Sequence, residues 1–290
     1  MTTPIVSELR VLLVGVVRNI ESTMKEDLER FREVLGGFKQ VQVFVVESDS
    51  SDKSVETLER LKSSDNSFDF ESLGKLEEII PIRTARLAFA RNKYLEALES
   101  REEYNQVDFL VIADFNNLNN RLTRESVESV FLEDYWSVRS ANQSGPYYDI
   151  WALRHPIWSP NDCWEAHEFL RKYTKFPELA LYASVNSRMI RIPVDSSPIE
   201  VESAFGGFAI YKRSSVTGKR YSGIDSSSGR AVCEHVPFHK SISEEGHVLE
   251  IYPKLVNMHK TDHTYRYGLL RTIIRVASYL PKYLRKITKK

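Results

Sequence analysis

Residues 108–117 read Asp108-Phe109-Leu110-Val111-Ile112-Ala113-Asp114-Phe115-Asn116-Asn117 (DFLVIADFNN). The apolar run Phe109–Ala113 has no polar alternation, as expected of a central parallel strand covered on both faces. It stops abruptly at Asp114, with Asn116 two residues further on. In open α/β sheets the ligand site lies just beyond the carboxyl ends of the strands. The two-residue spacing puts Asp114 and Asn116 on one side of an extended chain, where two oxygen donors can hold a hard cation that in turn holds phosphate oxygens. The same residues also suit a strand followed by an Asx turn.

Working outward, strand and helix patterns alternate. Arg10–Val17 and Val41–Val46 read as buried strands. Glu21–Leu35 is helical in spacing, with Met24, Leu28, Phe31 and Leu35 on one face and Gly36-Gly37 at its end. Ser51–Leu61 predicts a helix, Glu78–Ile82 a short strand, Ala85–Leu98 a helix, and Leu122–Phe131 a helix opened by Thr123. This alternation predicts an α/β fold, a mostly parallel sheet with helices on both faces. The second half changes character. Tyr147–Arg154 is aromatic and extended, and Cys163–Phe176 is a short amphipathic helix. Arg188–Pro193, Val201–Tyr211, Val232–His239 and Val248–Val256 read as strands of a smaller mixed-sheet half. No repeat or low-complexity linker divides the halves, so residues 1–260 are expected to form one domain.

Composition narrows the class. The chain has 290 residues, 42% hydrophobic and 28% charged, with zero net charge, which is ordinary for a globular protein and gives no case for nucleic acid. Two cysteines, Cys163 and Cys233, make neither a disulfide framework nor a metal cluster, and a reducing compartment is the simpler reading. Residues 1–10 show no basic segment followed by an apolar core, and no apolar run is long enough to span a bilayer. The charge is uneven, however. Over 261–290, Arg266, Arg271, Arg275, Lys282, Arg285, Lys286, Lys289 and Lys290 are opposed only by Asp262, and Leu269, Leu270, Ile273, Ile274, Tyr279, Leu280 and Tyr283 are interleaved. Such a basic amphipathic tail suits an anionic membrane surface; equally it suits a terminal helix docked on the domain.

Candidate chemistry lies at the strand ends. Glu47 and Asp49 follow the second strand, where they could accept hydrogen bonds from a ribose or base, while Ser51-Asp52 could cap the next helix. Neither a G-x-G-x-x-G nor a Walker loop occurs. Arg83, Arg86 and Arg91 lie along the following helix and offer planar donor forks for phosphate. Gly206 and Gly207 interrupt an apolar strand, marking a bulge or a close backbone approach. Glu234-His235 supplies a carboxylate next to an imidazole, a candidate general base; in a strand at most one of them would face a given pocket. His259 follows the last strand and is a candidate third metal ligand beside Asp114 and Asn116.

Taken in order, Val45–Asp52, Arg86–Leu95 (RLAFARNKYL), Phe109–Asn117, Tyr147–Arg154 (YYDIWALR), Ser203–Tyr211 (SAFGGFAIY) and Cys233–His239 (CEHVPFH) resemble a glycosyltransferase of the GT-A fold. They are similar to capsule and cell-wall mannosyltransferases and their bacterial relatives, from Val11 to His259. The resemblance implies a nucleoside diphosphate sugar donor and a glycan or lipid-linked acceptor. It also implies a divalent cation, Mn2+ or Mg2+, on an Asp-x-Asp motif. Here Asp114 matches the first position and Asn116 replaces the second. By the same resemblance Glu47, Asp49, Arg86, Arg91, Gly206 and Gly207 fall in the donor region. Asp149 and Trp151 fall near the donor sugar or acceptor, and Glu234-His235 on the acceptor side. The implied setting is cell-surface polysaccharide synthesis at the cytoplasmic face of a membrane. Two other readings stay open: a sugar-nucleotide nucleotidyltransferase, although the loop Val17–Ile20 lacks that class's glycines, and a non-catalytic glycan- or nucleotide-binding relative.

Overall fold

A computed structural model describes residues 5–259 and the isolated position 277; the amphipathic tail expected over 261–290 otherwise lies outside the described residues. The strands are β1 (Arg10–Val17), β2 (Gln40–Glu47), β3 (Phe68–Ser72), β4 (Phe109–Ala113), β5 (Val138–Gln143), β6 (Ile199–Glu200), β7 (Phe208–Lys212) and β8 (Leu249–Met258). The helices are α1 (Met24–Val34), α2 (Ser54–Ser64), α3 (Arg83–Ser100), α4 (Arg124–Glu128), α5 (Cys163–Tyr173), α6 (Pro177–Ser184), α7 (Arg213–Val216) and α8 (His235–Ser243). All the strands join one sheet in the order β3-β2-β1-β4-β7-β5-β8-β6.

The first half is parallel, as the βαβ alternation requires. Val17 pairs opposite Glu47, and Val14 opposite Ile112. β1, β2 and β4 therefore end along one edge. β7 runs antiparallel to β4 with Phe208 opposite Ala113, so Gly206-Gly207 enters the sheet at that same edge. β5 and β8 are parallel to each other and bring Gln143 opposite Met258 there as well.

Alternation splits the core between the two faces. Leu12, Val14, Phe44 and Val46 pack with Tyr94, Leu95 and Leu98 of α3 and with Phe238 and Ile242 of α8. Val11, Leu13, Val43 and Val45 pack with Leu28 and Phe31 of α1. One glycine is required by contact. A Cβ on Gly15 would lie 2.6 Å from the Ala113 carbonyl oxygen and from the Phe115 ring. Its absence lets Phe115 fold back over β1 and meet Phe31 edge-on at 5.0 Å, which turns the chain sharply after Asp114.

Several expected elements differ. The third strand is Phe68–Ser72, not Glu78–Ile82; residues 76–78 form a short 3-10 turn leading into α3. Val232–His239 is not a strand, because α8 starts at His235. Pro237 falls in the first turn of α8, where proline's missing N–H costs no helical bond. Within Arg188–Pro193 only Arg191 pairs, in a single bridge with Pro146. The run Val201–Tyr211 is an irregular segment that becomes β7 only at Phe208. Leu122–Phe131 gives a short α4 followed by a 3-10 turn, and Thr123 caps it by accepting from the Ser126 N–H at 3.1 Å.

Candidate active site

The carboxyl ends of β1, β2 and β4, the segment before β7, one side of α3 and the start of α8 enclose a cleft of about 740 Å³. Asp49, Arg86, Arg91, Asp114, Asn116, Asp149, Glu234 and His235 all line it. Its deep part is acidic, with Asp114, Asp149 and Glu234 around Arg91. Its outer part is basic: Arg18, with a side chain 49% exposed, and Arg83, also exposed, line it too. Tyr148, Trp151 and Phe205 add aromatic surface.

Arg91 organises the deep part. Its side chain is only 6% exposed, so its charge must be matched locally. Nε donates to Glu234 Oε1 at 3.1 Å, one terminal nitrogen lies 3.9 Å from Asp114 Oδ1, and the other is 3.3 Å from the Tyr94 hydroxyl. The guanidinium also faces the Phe205 and Tyr221 rings at 5.3 and 5.7 Å, a favourable place for a delocalised cation. Helical spacing along α3 produces this depth gradient. Arg83 is the first residue of α3, Arg86 lies one turn in, and Arg91 reaches the interior.

Asp114 is held differently from its neighbours. Among the described residues its carboxylate accepts no hydrogen bond, and its side chain is 34% exposed, into the cleft. Enclosure by protein raises its pKa to about 6; Arg91 opposes the rise, and Asp149 and Glu234 add to it. The Asp149 carboxylate accepts from the Gly206 N–H at 3.0 Å. Burial raises its pKa, while the N–H groups of Gly206 and Ala152 pull it down. His235 stacks face to face on Phe205 with ring centroids 4.1 Å apart. Burial, then Arg91 and His239, push its pKa well below the ordinary histidine range, so the ring is neutral and a weak proton acceptor.

Some expected site residues are elsewhere or act differently. Glu47 does not line the cleft. Its carboxylate turns back into the protein, accepting from the Ser50 N–H at 3.0 Å and from the Ser72 hydroxyl, and so ties β2 to β3. Gly206 and Gly207 also lie outside the lining. They are glycines because their backbones are left-handed, at φ +71° and +87°, and because a Cβ on Gly206 would come 2.9 Å from the Ala141 carbonyl oxygen. The close approach is to protein. His259 is not in the cleft either; its Nδ1 lies 2.7 Å from Ser144 Oγ. Glu234 and His235 both reach the cleft because they stand at a helix start, not in a strand. Asp49 is buried with a left-handed backbone, φ 62°, accepts from the Glu77 N–H at 2.8 Å and lies 3.7 Å from Arg86 Nε. Arg86 also donates to the Ile80 and Pro81 carbonyls at 2.9 Å.

Arg18, Tyr148 and Phe205 were not singled out from the sequence. The first follows β1 at the same sheet edge as Asp114, so the carboxyl-end rule alone could have found it. The aromatics sit in the quoted YYDIWALR and SAFGGF runs, but nothing local separates them from core residues.

The donor set around Asp114 suits one kind of cation. Among the described residues no group of three or more His, Cys, Asp or Glu is gathered to hold a metal. One carboxylate and one amide oxygen fit a hard divalent ion that takes its remaining ligands from water and a bound phosphate.

No protein-family model and no curated protein matches the chain. Solved structures do. A mannosyltransferase from Pyrobaculum calidifontis, in complex with GDP-Man and Mn2+, is 15% identical over 98% of this chain and 65% of its own, with a TM-score of 0.46. S. aureus TarS, in complex with UDP-GlcNAc, is 11% identical over 90% of this chain and 62% of its own, with a TM-score of 0.49. Glucosyl-3-phosphoglycerate synthase from Mycobacterium tuberculosis, with Mn2+, UDP and glucosyl-3-phosphoglycerate, is 14% identical over 87% of this chain and 69% of its own, at 0.41. The chain thus spans less than two thirds of the length of the first two.

The raised Asp114 pKa has a signed consequence. Between its ordinary value, 3.8, and about 6 the folded chain holds more protons than the unfolded one, so stability falls as pH rises through that window. Asp114→Asn should therefore be more stable than the parent at pH 7, by about 1 kcal/mol once the shift is discounted for the partly exposed side chain. The difference should vanish below about pH 4. Urea melts of both proteins from pH 3.5 to 8 measure it; a difference independent of pH means that Asp114 does not titrate in this window.

Proposed function

We propose that this cleft transfers a sugar from a nucleoside diphosphate donor to an acceptor hydroxyl. The carrying observation is the open Asp114 carboxylate, in the lining of a cleft that Asn116 also lines and whose mouth carries arginines. A bare carboxylate would repel a diphosphate. With a divalent cation held at Asp114 and Asn116 the same group would attract one, and Arg18, Arg83 and Arg86 would match the remaining phosphate charge. Asp49 with Arg86 offers a polar surface for the nucleoside.

In the reaction the bond from the anomeric carbon to the diphosphate oxygen breaks, and the diphosphate departs with the electron pair. The acceptor oxygen bonds to the anomeric carbon and gives up its proton. Mn2+ or Mg2+, held by Asp114 and Asn116 when bound, supplies positive charge that stabilises the departing diphosphate. Arg91 adds fixed charge behind Asp114. For an inverting transfer, Asp149 is the best placed proton acceptor: its pKa is raised, it lines the cleft, and it makes no direct ion pair among the described residues. Glu234 is committed to Arg91, and His235 is too weak a base.

A screen of nucleoside diphosphate sugars by thermal shift, with and without Mn2+, tests the reading, because a ligand of the native state raises its melting midpoint. At least one donor should do so in an Mn2+-dependent way, and Asp114→Ala should lose that dependence. A chain that no nucleotide sugar stabilises is not a transferase of this kind.

Within the reaction, Asp149→Asn should lower kcat by about two to four powers of ten with donor KM nearly unchanged, as loss of a general base does. Glu234→Gln should instead raise donor KM and lower the melting midpoint, because it loosens Arg91. The opposite pattern would move the proton to Glu234.

The acceptor is proposed to be a glycan or a lipid-linked sugar, in cell-surface polysaccharide synthesis, with residues 261–290 reaching an anionic membrane. No helix among the described residues is long and apolar enough to cross a bilayer, and the surface contact rests on the tail's sequence. Each basic residue near such a surface contributes about 1 kcal/mol. Arg285→Glu with Lys286→Glu should therefore weaken co-sedimentation with phosphatidylserine vesicles at low salt. Unchanged sedimentation would leave the tail without this role.

A further inference from the structure

Three buried side-chain amides connect the two halves of the cleft, and none of them touches the open space. Asn119, Asn257 and Gln143 are each at most 1% exposed. Asn119 Nδ2 donates to the Asp114 carbonyl at 2.8 Å and to the Gly207 carbonyl at 3.3 Å. Asn257 Nδ2 donates to Asn119 Oδ1 at 2.9 Å and to the Gly206 carbonyl at 2.8 Å. Gln143 Nε2 donates to Asn257 Oδ1 at 3.2 Å and to the Gly206 carbonyl at 3.3 Å. The ladder clamps both glycine carbonyls, and the Asp114 N–H closes the ring by donating to Gly207 at 3.0 Å.

Each end of this ladder meets a cleft carboxylate through the backbone. At one end is Asp114 itself. At the other, the Gly206 N–H holds Asp149 Oδ2 at 3.0 Å. The glycines have left-handed backbones and would otherwise be the most pliable part of the edge. Buried amides that bond one another resist displacement, because breaking one bond strands its partner without water; Gln143 Oε1 has no partner among the described residues. We propose that Asn119, Asn257 and Gln143 are positioning residues that fix the Gly206-Gly207 turn, and through it the separation of Asp114 from Asp149. Their effect on catalysis rests on the transfer reading above; their mechanical role does not.

Asn119→Ala and Asn257→Leu, with Asn120→Ala as an exposed neighbour outside the ladder, separate the two. Backbone amide exchange at Gly206 and Asp114, read by NMR on the full chain, should speed up about tenfold in both ladder variants, the change that ~1.4 kcal/mol of lost hydrogen bonding gives. Amides of α1 should exchange as in the parent, and Asn120→Ala should change neither group. With the donor found in the thermal screen, kcat should fall about tenfold while donor KM changes less than threefold, because positioning rather than binding is lost. A uniform acceleration over the whole chain, or unchanged exchange at Gly206 and Asp114 in folded variants, overturns the proposal. A drop in donor affinity with unchanged kcat does the same for its catalytic part. If Asn257→Leu does not fold, Asn119→Ala with Asn119→Gln as the conservative rescue gives the same readout. Faster exchange at those two amides in a chain that turns over no donor overturns the transferase reading and supports the ladder.

Discussion

The buried charge of Arg91 is the constraint around which the cleft is arranged. Removing a guanidinium from water is costly unless opposite charge and hydrogen bonds replace the solvent. Here Glu234 and Asp114 supply the charge, Tyr94 a hydroxyl, and Phe205 and Tyr221 aromatic faces. Those partners come from α3, the end of β4, the segment before β7, the segment between α7 and α8, and the start of α8. Meeting the charge therefore draws five separate parts of the chain to one point. Removing Glu234, the buried partner that Arg91 bonds directly, typically costs roughly 3–5 kcal/mol, because it leaves a buried charge uncompensated. Two carboxylates against one cation also leave the deep cleft net acidic once Asp149 is added.

How much of this was legible depends on the distance over which each residue finds its partner. Five consecutive apolar residues before Asp114 announce a buried strand, and strand ends in such sheets carry ligands, so Asp114 and Asn116 could be placed. The helical arginines could be placed for the same local reason. Glu47 was read by that logic and differs, because Ser72, on the neighbouring strand, turns its carboxylate inward. Nothing near Glu47 in the sequence records that contact. Glu234-His235 was read as part of a strand because Val232, Val236 and Phe238 look β-like, whereas Pro237 stands where only a first helical turn tolerates it.

The amide ladder was the least legible part. Asn257 finds Asn119 across 138 residues and the Gly206 carbonyl across 51. In sequence, Asn119 sits in a polar turn, and Gln143 and Asn257 are polar residues within strand runs. The glycine pair was visible, yet its reason was not, since a close approach to protein and a close approach to a ligand leave the same mark. Sequence patterns report burial and turn chemistry. They do not report which distant backbone a buried amide will satisfy.

The outer cleft is built on weaker terms than its floor, and that difference suits a site which has to admit a charged ligand. Arg18 and Glu77 meet at 3.3 Å with both side chains about half exposed, an arrangement worth little in water. The loop carrying Glu77 is anchored from below, where Asp49 accepts the Glu77 N–H and donates its own N–H to the Gly74 carbonyl. An incoming phosphate can therefore draw Arg18 away from Glu77 without disturbing Asp49. The floor cannot yield in the same way, because Arg91 and Glu234 are desolvated and bonded to each other, and the backbone of Asp114 is held by the amide ladder. Weak pairing at the mouth and tight pairing beneath it mean that the arginines can shift while the deep carboxylates stay in place.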